Sequence, residues 1–260
     1  MRNQPIFAKT ALAGFVLGLV IALTACFGTR LGFWNYALGL KLLVPGVAIG
    51  AIGLLAGLIW TWRALEGNDS TGWRLGATGL IGAVLLVGIP ANGLWLRYTK
   101  PPIHDISTDI GEAPKFDALL EWRKGAINPP SYDGPVIVSY GGKQMTTALA
   151  QKYAYPDVKP LERLKMHYTE REFYGKMFWR ALNLVNGNGW QVASFDYKRG
   201  RIEATDTSFW FGVVSDIVIR VRPAGTIGVR IDIRSKSRIG TSDMGRNARI
   251  IRDFLPGMHG

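Results

Sequence analysis

The sequence predicts an α+β protein: three N-terminal transmembrane helices, then a soluble domain whose four-stranded antiparallel sheet is covered on one face by helices. Three observations predict it. Long stretches of the first hundred residues carry almost no charge, a helical period runs from Thr169 to Gly187, and strict alternation fills much of the chain from Trp190 to Lys236.

A helix needs about 20 apolar residues to cross a hydrocarbon core. Residues from about 10 to 27, TALAGFVLGLVIALTACF, meet this without a single charge. The second stretch, about 38–62, has Lys41 near one end and Pro45 inside, and the third, about 75–96, contains Pro90. Internal proline is tolerated in membrane spans because neighbouring helices satisfy the freed backbone groups. Trp95 and Tyr98 suit a lipid–water boundary. Glycines four apart (Gly14 and Gly18, Gly46 and Gly50, Gly53 and Gly57) predict close helix–helix approach. The chain therefore divides into a membrane domain over 1–98, a Pro-rich extended tether over 99–135, and an α+β domain over 136–260.

Charge supports that division. Residues 1–100 hold eight Lys/Arg and two acids, a net +6, and the other +6 is spread over a domain with 23 basic and 17 acidic residues. The flanking cations are tied between the two sides of the spans, so the positive-inside rule does not decide orientation. Arg2, Lys9 and the amino terminus before the first span favour N-terminus in. That orientation gives a multi-pass bacterial inner-membrane protein with a periplasmic C-terminal domain. Cys26 closes the segment LTAC, which resembles a lipoprotein processing site, but two further apolar spans follow, so a cysteine within a membrane helix is the expected reading.

In the soluble part, Lys100–Asp133 is rich in proline, which fixes φ and removes donors, so an extended course along a surface is expected, with a short helix near Phe116–Lys124. AYPDVKPL, Ala154–Leu161, reads the same way. Thr169 and Glu172 form a capping box, Gly187 or Gly189 ends the helix, and Phe173, Met177, Phe178, Ala181, Leu182 and Val185 share one face. WQVASFDY and GRIEATDT, joined through Lys198–Gly200, make one hairpin, and DIVIRVRP and IGVRIDIRS, joined through Ala224–Thr226, make a second. Alternation sends Ile217, Ile219, Val221, Val229, Ile231 and Ile233 to one face. Asp216, Arg220, Arg222, Arg230, Asp232 and Arg234 go to the other, a basic and mixed-charge surface where cross-strand ion pairs are expected. A last helix, about Asp243–Leu255, capped at Thr241 or Ser242 after a turn at Gly240, closes the apolar face.

Four segments taken in order, HDISTD, AYPDVKPL, GRIEATDTSFWFGVVSDIVIRVRP and RSKSRIGTSDMGRNARIIRDFL, resemble the bacterial family known as domain of unknown function 1499 over about residues 100–255. The resemblance implies an envelope-associated or secreted protein and assigns no activity. Where the family pattern often has two adjacent acids, this chain has Ser215 and Asp216, so a role needing an acidic pair does not carry over.

Three clusters are candidate sites. Arg234, Ser235, Ser237, Arg238, Ser242 and Arg246 surround the start of the last helix and could hold an anionic headgroup or carboxylate. Phe209, Trp210 and Phe211 could touch the bilayer or line a pocket, or fill the core. His104, Asp105 and Asp109 form a polar stretch. His167 and His259 complete the histidines, and neither lies beside a nucleophile motif. No catalytic residue, cofactor or metal site is assigned, because ligand spacings and a G-x-S-x-G elbow are missing. Nucleic acid is set aside as a partner because the domain's charge excess is ordinary and no nucleic-acid motif is present. The expected partners are the lipid bilayer itself and an envelope protein or anionic lipid. The role expected is a non-catalytic binding or interaction module. An envelope hydrolase using His104–Asp109 and a structural subunit of a membrane complex are the alternatives.

Overall fold

A computed structural model describes residues 6–67, 72–164, 168–225 and 228–259. Arg2, His167 and Thr226 lie outside the described residues. The chain forms two compact units, one of Met1–Trp95 with Phe209–Gly212, the other of Leu96–Ser208 with Val213–Gly260.

Three helices, α1 (Ile6–Arg30), α2 (Tyr36–Leu65) and α3 (Trp73–Thr99), are each long and apolar enough to span a membrane. Each extends beyond the apolar run that predicts it, since the polar ends remain helical. Within the first unit α1 and α2 meet through glycine. A Cβ on Gly14 would lie 2.6 Å from Gly53 Cα, and one on Gly18 would lie 2.6 Å from the Gly46 carbonyl. Without side chains between them the backbones touch, which is how helices associate where lipid removes the hydrophobic drive. Cys26 is buried within α1.

Among the described residues the second unit contains eight strands: β1 (Asp105–Ser107), β2 (Ile137–Tyr140), β3 (Lys143–Thr146), β4 (Leu161–Leu164), β5 (Gln191–Asp196), β6 (Arg201–Thr207), β7 (Val214–Ala224) and β8 (Gly228–Ser237). Its helices are α4 (Leu119–Trp122), α5 (Thr147–Ala154), α6 (Glu170–Gly187) and α7 (Arg246–Phe254), the last followed by a 3₁₀ turn, Leu255–Met258. The main sheet runs β1-β8-β7-β6-β5, with β4 also paired to β8. Its six strands replace the four expected from alternation, because β1 and β4 each add a short piece antiparallel to β8. β2 and β3 form a separate hairpin around Gly141 and Gly142, both at positive φ.

The apolar face is built as the alternation requires. Ile217, Ile219, Val221, Val229, Ile231 and Ile233 are all buried, and α6 lays Phe173, Met177, Phe178, Ala181, Leu182 and Val185 against the same core, joined by Ala248, Ile251 and Phe254 of α7. Each large side chain so buried contributes about 1.5–3 kcal/mol. The capping box on α6 forms in full. The cap of α7 differs from expectation. Asp243, not Thr241 or Ser242, receives the backbone N–H groups of Gly245 and Asn247, and Gly245 enters the helix at φ 84°.

The opposite face is covered as well. Residues 109–133 cross it, placing Phe116 and Leu119 on Val218. The segment expected to be a tether thus also supplies β1 and a second layer over the sheet.

One close approach tests the sheet. Gly200, at φ 63°, accepts from Val221 N, and a Cβ there would stand 1.9 Å from the Val221 carbonyl, whereas Gly189, at φ 71°, has open space around it. Gly189→Ala should cost about 1–2 kcal/mol, the left-handed penalty alone. Gly200→Ala should cost about 3 kcal/mol or more, because the β6–β7 contact must open. Hydrogen exchange of the β6 and β7 amides in the nanodisc-embedded chain measures both.

Candidate functional site

β8 and β1 set the geometry. Their register places Asp105 opposite Lys236 and Ser107 opposite Arg234, so the charged side chains of both strands point to the face crossed by residues 109–133. On its other edge β1 is held by the buried Gln151, whose amide donates to Ser107 O at 2.6 Å and accepts from Ser107 N at 3.1 Å.

Arg234 is fully buried and completely partnered. Its Nε and Nη2 donate to the two oxygens of Asp105 at 2.8 Å each, Nη1 donates to Pro114 O, and Nη2 also reaches Pro130 O and Ser131 O. The guanidinium carbon lies 4.6 Å from the Phe116 ring centroid and 5.3 Å from that of Tyr132. The neighbouring Lys236 ammonium, also buried, donates to Ser131 O and lies 2.8 Å from Asp133 Oδ2 and 3.3 Å from Asp105 Oδ2. An anion arriving at Arg234 would have to displace Asp105.

The remaining members of the proposed anion cluster are placed as follows. Arg238 donates twice to Asp216, a buried carboxylate that Arg123 grips from its other side. Arg246 pairs with Asp206. The Ser235 hydroxyl donates to Asn247 Oδ1, and Asn247 Nδ2 donates to the Ser237 hydroxyl and to His104 O. Ser242 Oγ accepts from Met244 N. Ser215 is fully buried with its hydroxyl 3.4 Å from that of Ser237, so a second acid at 215 would face hydroxyls there. Sequence reasoning missed Asn247, Arg123 and Asp133, which act across distances of 90 residues and more or from the interior of a helix.

Asp109 sits apart from Asp105, at the other end of β1. It receives the N–H groups of Gly111 and Glu112 and pairs with Arg220, Arg222 and Arg230, which also surround the buried Asp232. Burial alone would raise its pKa. The Glu112 N–H, Arg230, the Gly111 N–H and Arg220 outweigh it and hold the carboxyl below its ordinary value of 3.8.

His104 borders a cavity of about 190 Å³. Pro102, Ile103, Val136 and Val138 make its apolar walls, and Thr241 is exposed on its lining. His104 Nε2 is itself buried and lies 3.0 Å from Asp133 Oδ2. Asp133 is also held below its ordinary pKa, since His104 and Lys236 together overcome its desolvation. Behind this wall Asp243 is half-buried, and desolvation pushes its carboxyl up, against the Asn247 and Gly245 N–H groups that it accepts.

Phe209, Trp210 and Phe211 occupy the β6–β7 connection, pinched by Ser208 and Val213, which exchange two hydrogen bonds. Phe209 is 64% and Trp210 46% exposed.

An α+β domain preceded by three helices of membrane-spanning length and apolarity is thereby defined. The chain belongs to the family described as protein of unknown function (DUF1499), whose model matches residues 105–257. No curated protein matches it. The match opens on the first residue of β1, so the family includes the segment that covers the ionic face.

Two predictions follow from this geometry. Asp105→Asn leaves Arg234 and Lys236 short of a buried carboxylate and should destabilise the domain by about 3–5 kcal/mol, read as lost exchange protection in β8. Asp109, with its depressed pKa, contributes stability that is present above about pH 4 and is lost as pH falls through 3.8 towards the lower folded value. Asp109→Asn should therefore be less stable than the parent at pH 7 and lose less between pH 5 and pH 2, measured by the same amides. Asp243, raised by burial, works in the opposite direction and is common to both chains.

Proposed function

We propose that the chain is a bacterial inner-membrane protein whose periplasmic α+β domain is a non-catalytic binding module, with recognition at the cavity beside His104. One observation carries this reading. An apolar-walled cavity opens where β1 begins, and the charges behind its wall are already matched, Asp105 with Arg234 and Asp133 with Lys236. Such a surface suits reversible binding, in which shape and a few polar groups decide the ligand. The periplasmic placement rests on Arg2, Lys9 and the amino terminus ahead of the first apolar run.

An anionic lipid is a further partner within this reading. Of Arg234, Ser235, Ser237, Arg238, Ser242 and Arg246, its headgroup would reach Arg246, whose partner Asp206 is the least buried of the carboxylates that hold these arginines. Phe209 and Trp210, both exposed, would touch the bilayer.

A second reading, a hydrolase-type enzyme, is favoured by the approach of His104 to Asp133, the pairing that orients an imidazole as a base. A chain carrying both His104→Ala and Asp133→Asn that still complements a deletion strain removes it.

The primary reading makes a concrete prediction. Alkaline phosphatase fused after Gly260 should be active and a green fluorescent protein fused there dark. A photo-crosslinker at Thr241 should give a discrete adduct in cells, and one at Arg199, remote in the same domain, should give none. The reverse fusion pattern overturns the orientation, and equal crosslinking at both positions overturns the site.

A further inference from the structure

β2, whose Val136 and Val138 wall the cavity, has one free edge, and the inference drawn from it rests on the binding reading above. β2 pairs with β3 through a two-residue turn, Gly141-Gly142, that closes on Tyr140 and Lys143, and Val136 O accepts from Thr147 N. Hydrogen-bonded pairs alternate along an antiparallel ladder. Val138 and Tyr140 therefore turn their N–H and C=O groups to β3, while Ile137 and Ser139 turn theirs to the outer edge. Among the described residues no backbone group pairs with those four.

This edge is accessible and unguarded. Ile137 is 59% and Val136 51% exposed, and Ser139 is exposed as well. From Gly134 to Gly142, GPVIVSYGG, the chain carries no charge. Open edges are ordinarily blunted by charged side chains, because a row of unpaired donors and acceptors is a template for another strand. Two donors and two acceptors at the spacing of a strand are matched by the main chain of an extended polypeptide.

The cavity adds a side-chain requirement. Val136 and Val138 line it with Pro102 and Ile103, and no residue of β3 does, so it lies towards the free edge. A strand added along Ile137 and Ser139 would set one residue opposite Val138, and directly opposite side chains share a face of the sheet. That side chain enters the cavity. The volume of about 190 Å³ exceeds the roughly 150 Å³ that holds benzene, so leucine or phenylalanine fits. Asp105 and Asp133 behind the wall are already matched by Arg234 and Lys236, so an apolar group meets no charge that needs a partner.

We propose that the free edge of β2 takes an extended segment of another protein as an added strand, with an apolar side chain opposite Val138 seated in the cavity. Three consecutive residues are read, the outer two through their main chain and the middle one through its side chain.

The probe is the peptide acetyl-Thr-Ser-Leu-Ser-Thr-amide, titrated into the full chain in nanodiscs that hold one copy. The amides of Ile137 and Ser139 and the methyls of Val136 and Val138 are the readouts. All four should shift along one saturable curve, and both amides should gain exchange protection. Replacing the peptide's leucine by alanine should weaken it at least tenfold, as loss of three buried carbons does. N-methylation of its two serines, which removes the donors to the edge, should do the same. Ser139→Pro removes an outward N–H that the fold does not use and should weaken the parent peptide about tenfold. If that variant unfolds, the N-methylated peptide still reads the edge on the unaltered chain. Equal methyl shifts with the parent and N-methylated peptides overturn strand addition and leave an apolar binding site. Equal binding of the leucine and alanine peptides overturns the role of the cavity. Amide protection without peptide in nanodiscs holding two copies, and not in those holding one, places a second copy on the edge and overturns the outside partner. Silence at all four positions while the crosslinker at Thr241 still gives its adduct overturns strand addition alone, and silence in both overturns the binding reading too.

Discussion

The bidentate contact between Arg234 and Asp105 is the interaction on which the second unit depends. It joins β8, near the middle of the sheet, to β1, which is 129 residues away in sequence. Both side chains are 1% exposed, so each charge has lost its water. In such surroundings an isolated ion is untenable and a well-made pair is close to neutral, so the arrangement contributes more to uniqueness than to net stability. A slip of β1 by one residue would turn Asp105 to the apolar face and leave Arg234 and Lys236 buried together without it. The register of this short strand is thereby fixed by charge.

The same contact explains why a proline-rich segment lies over an arginine-rich face. Proline has a carbonyl but no N–H, so Pro114 and Pro130 offer acceptors and add no donor that would need a partner. Arginine has five donors and no acceptor. The guanidinium of Arg234 therefore draws on two proline carbonyls and Ser131 O as well as Asp105, and Arg220 extends the pattern to Glu112 O. Glu203 performs the converse on the same face, accepting the backbone N–H groups of Asp117 and Leu119 where the covering segment turns helical. Two segments of biased composition satisfy one another, and neither would be stable in that conformation alone.

Much of this fold is legible in the sequence because it is local. The three apolar helices, the capping box at Thr169, the face of α6 and the two long hairpins each declare themselves within a window of about 20 residues. β1 and β4 do not. Each is three or four residues long, too short for a period, and each is a strand only because β8 lies beside it. The β2–β3 hairpin had a usable signal, Gly141-Gly142 between two alternating runs, of the kind that favours a two-residue turn. The charged face was legible as a face. Its burial was not, since nothing in RVRP or RIDIRSKS says that residues 109–133 will return over it. The same holds for the site. His104 and Asp105 stand out as a polar pair, but Asp133, Lys236 and Asn247 come to them from distant positions.

The position of His104 follows from these constraints, and it bears on how the cavity works. Its own backbone carbonyl accepts from Ser237 N and Asn247 Nδ2, and the next residue is Asp105, locked in the ion pair. Asn247 is in turn fixed by Ser235, Ser237 and Asp243. The main chain on which the imidazole is mounted is therefore as rigid as the centre of the sheet, while the ring itself lies at the margin of that network. A fixed main chain beneath a cavity wall reduces the ordering entropy that a ligand must offset on binding. The candidate site and the fold's ionic layer therefore share one stretch of main chain, His104–Asp105, held by β8 on one side and by Asn247 on the other.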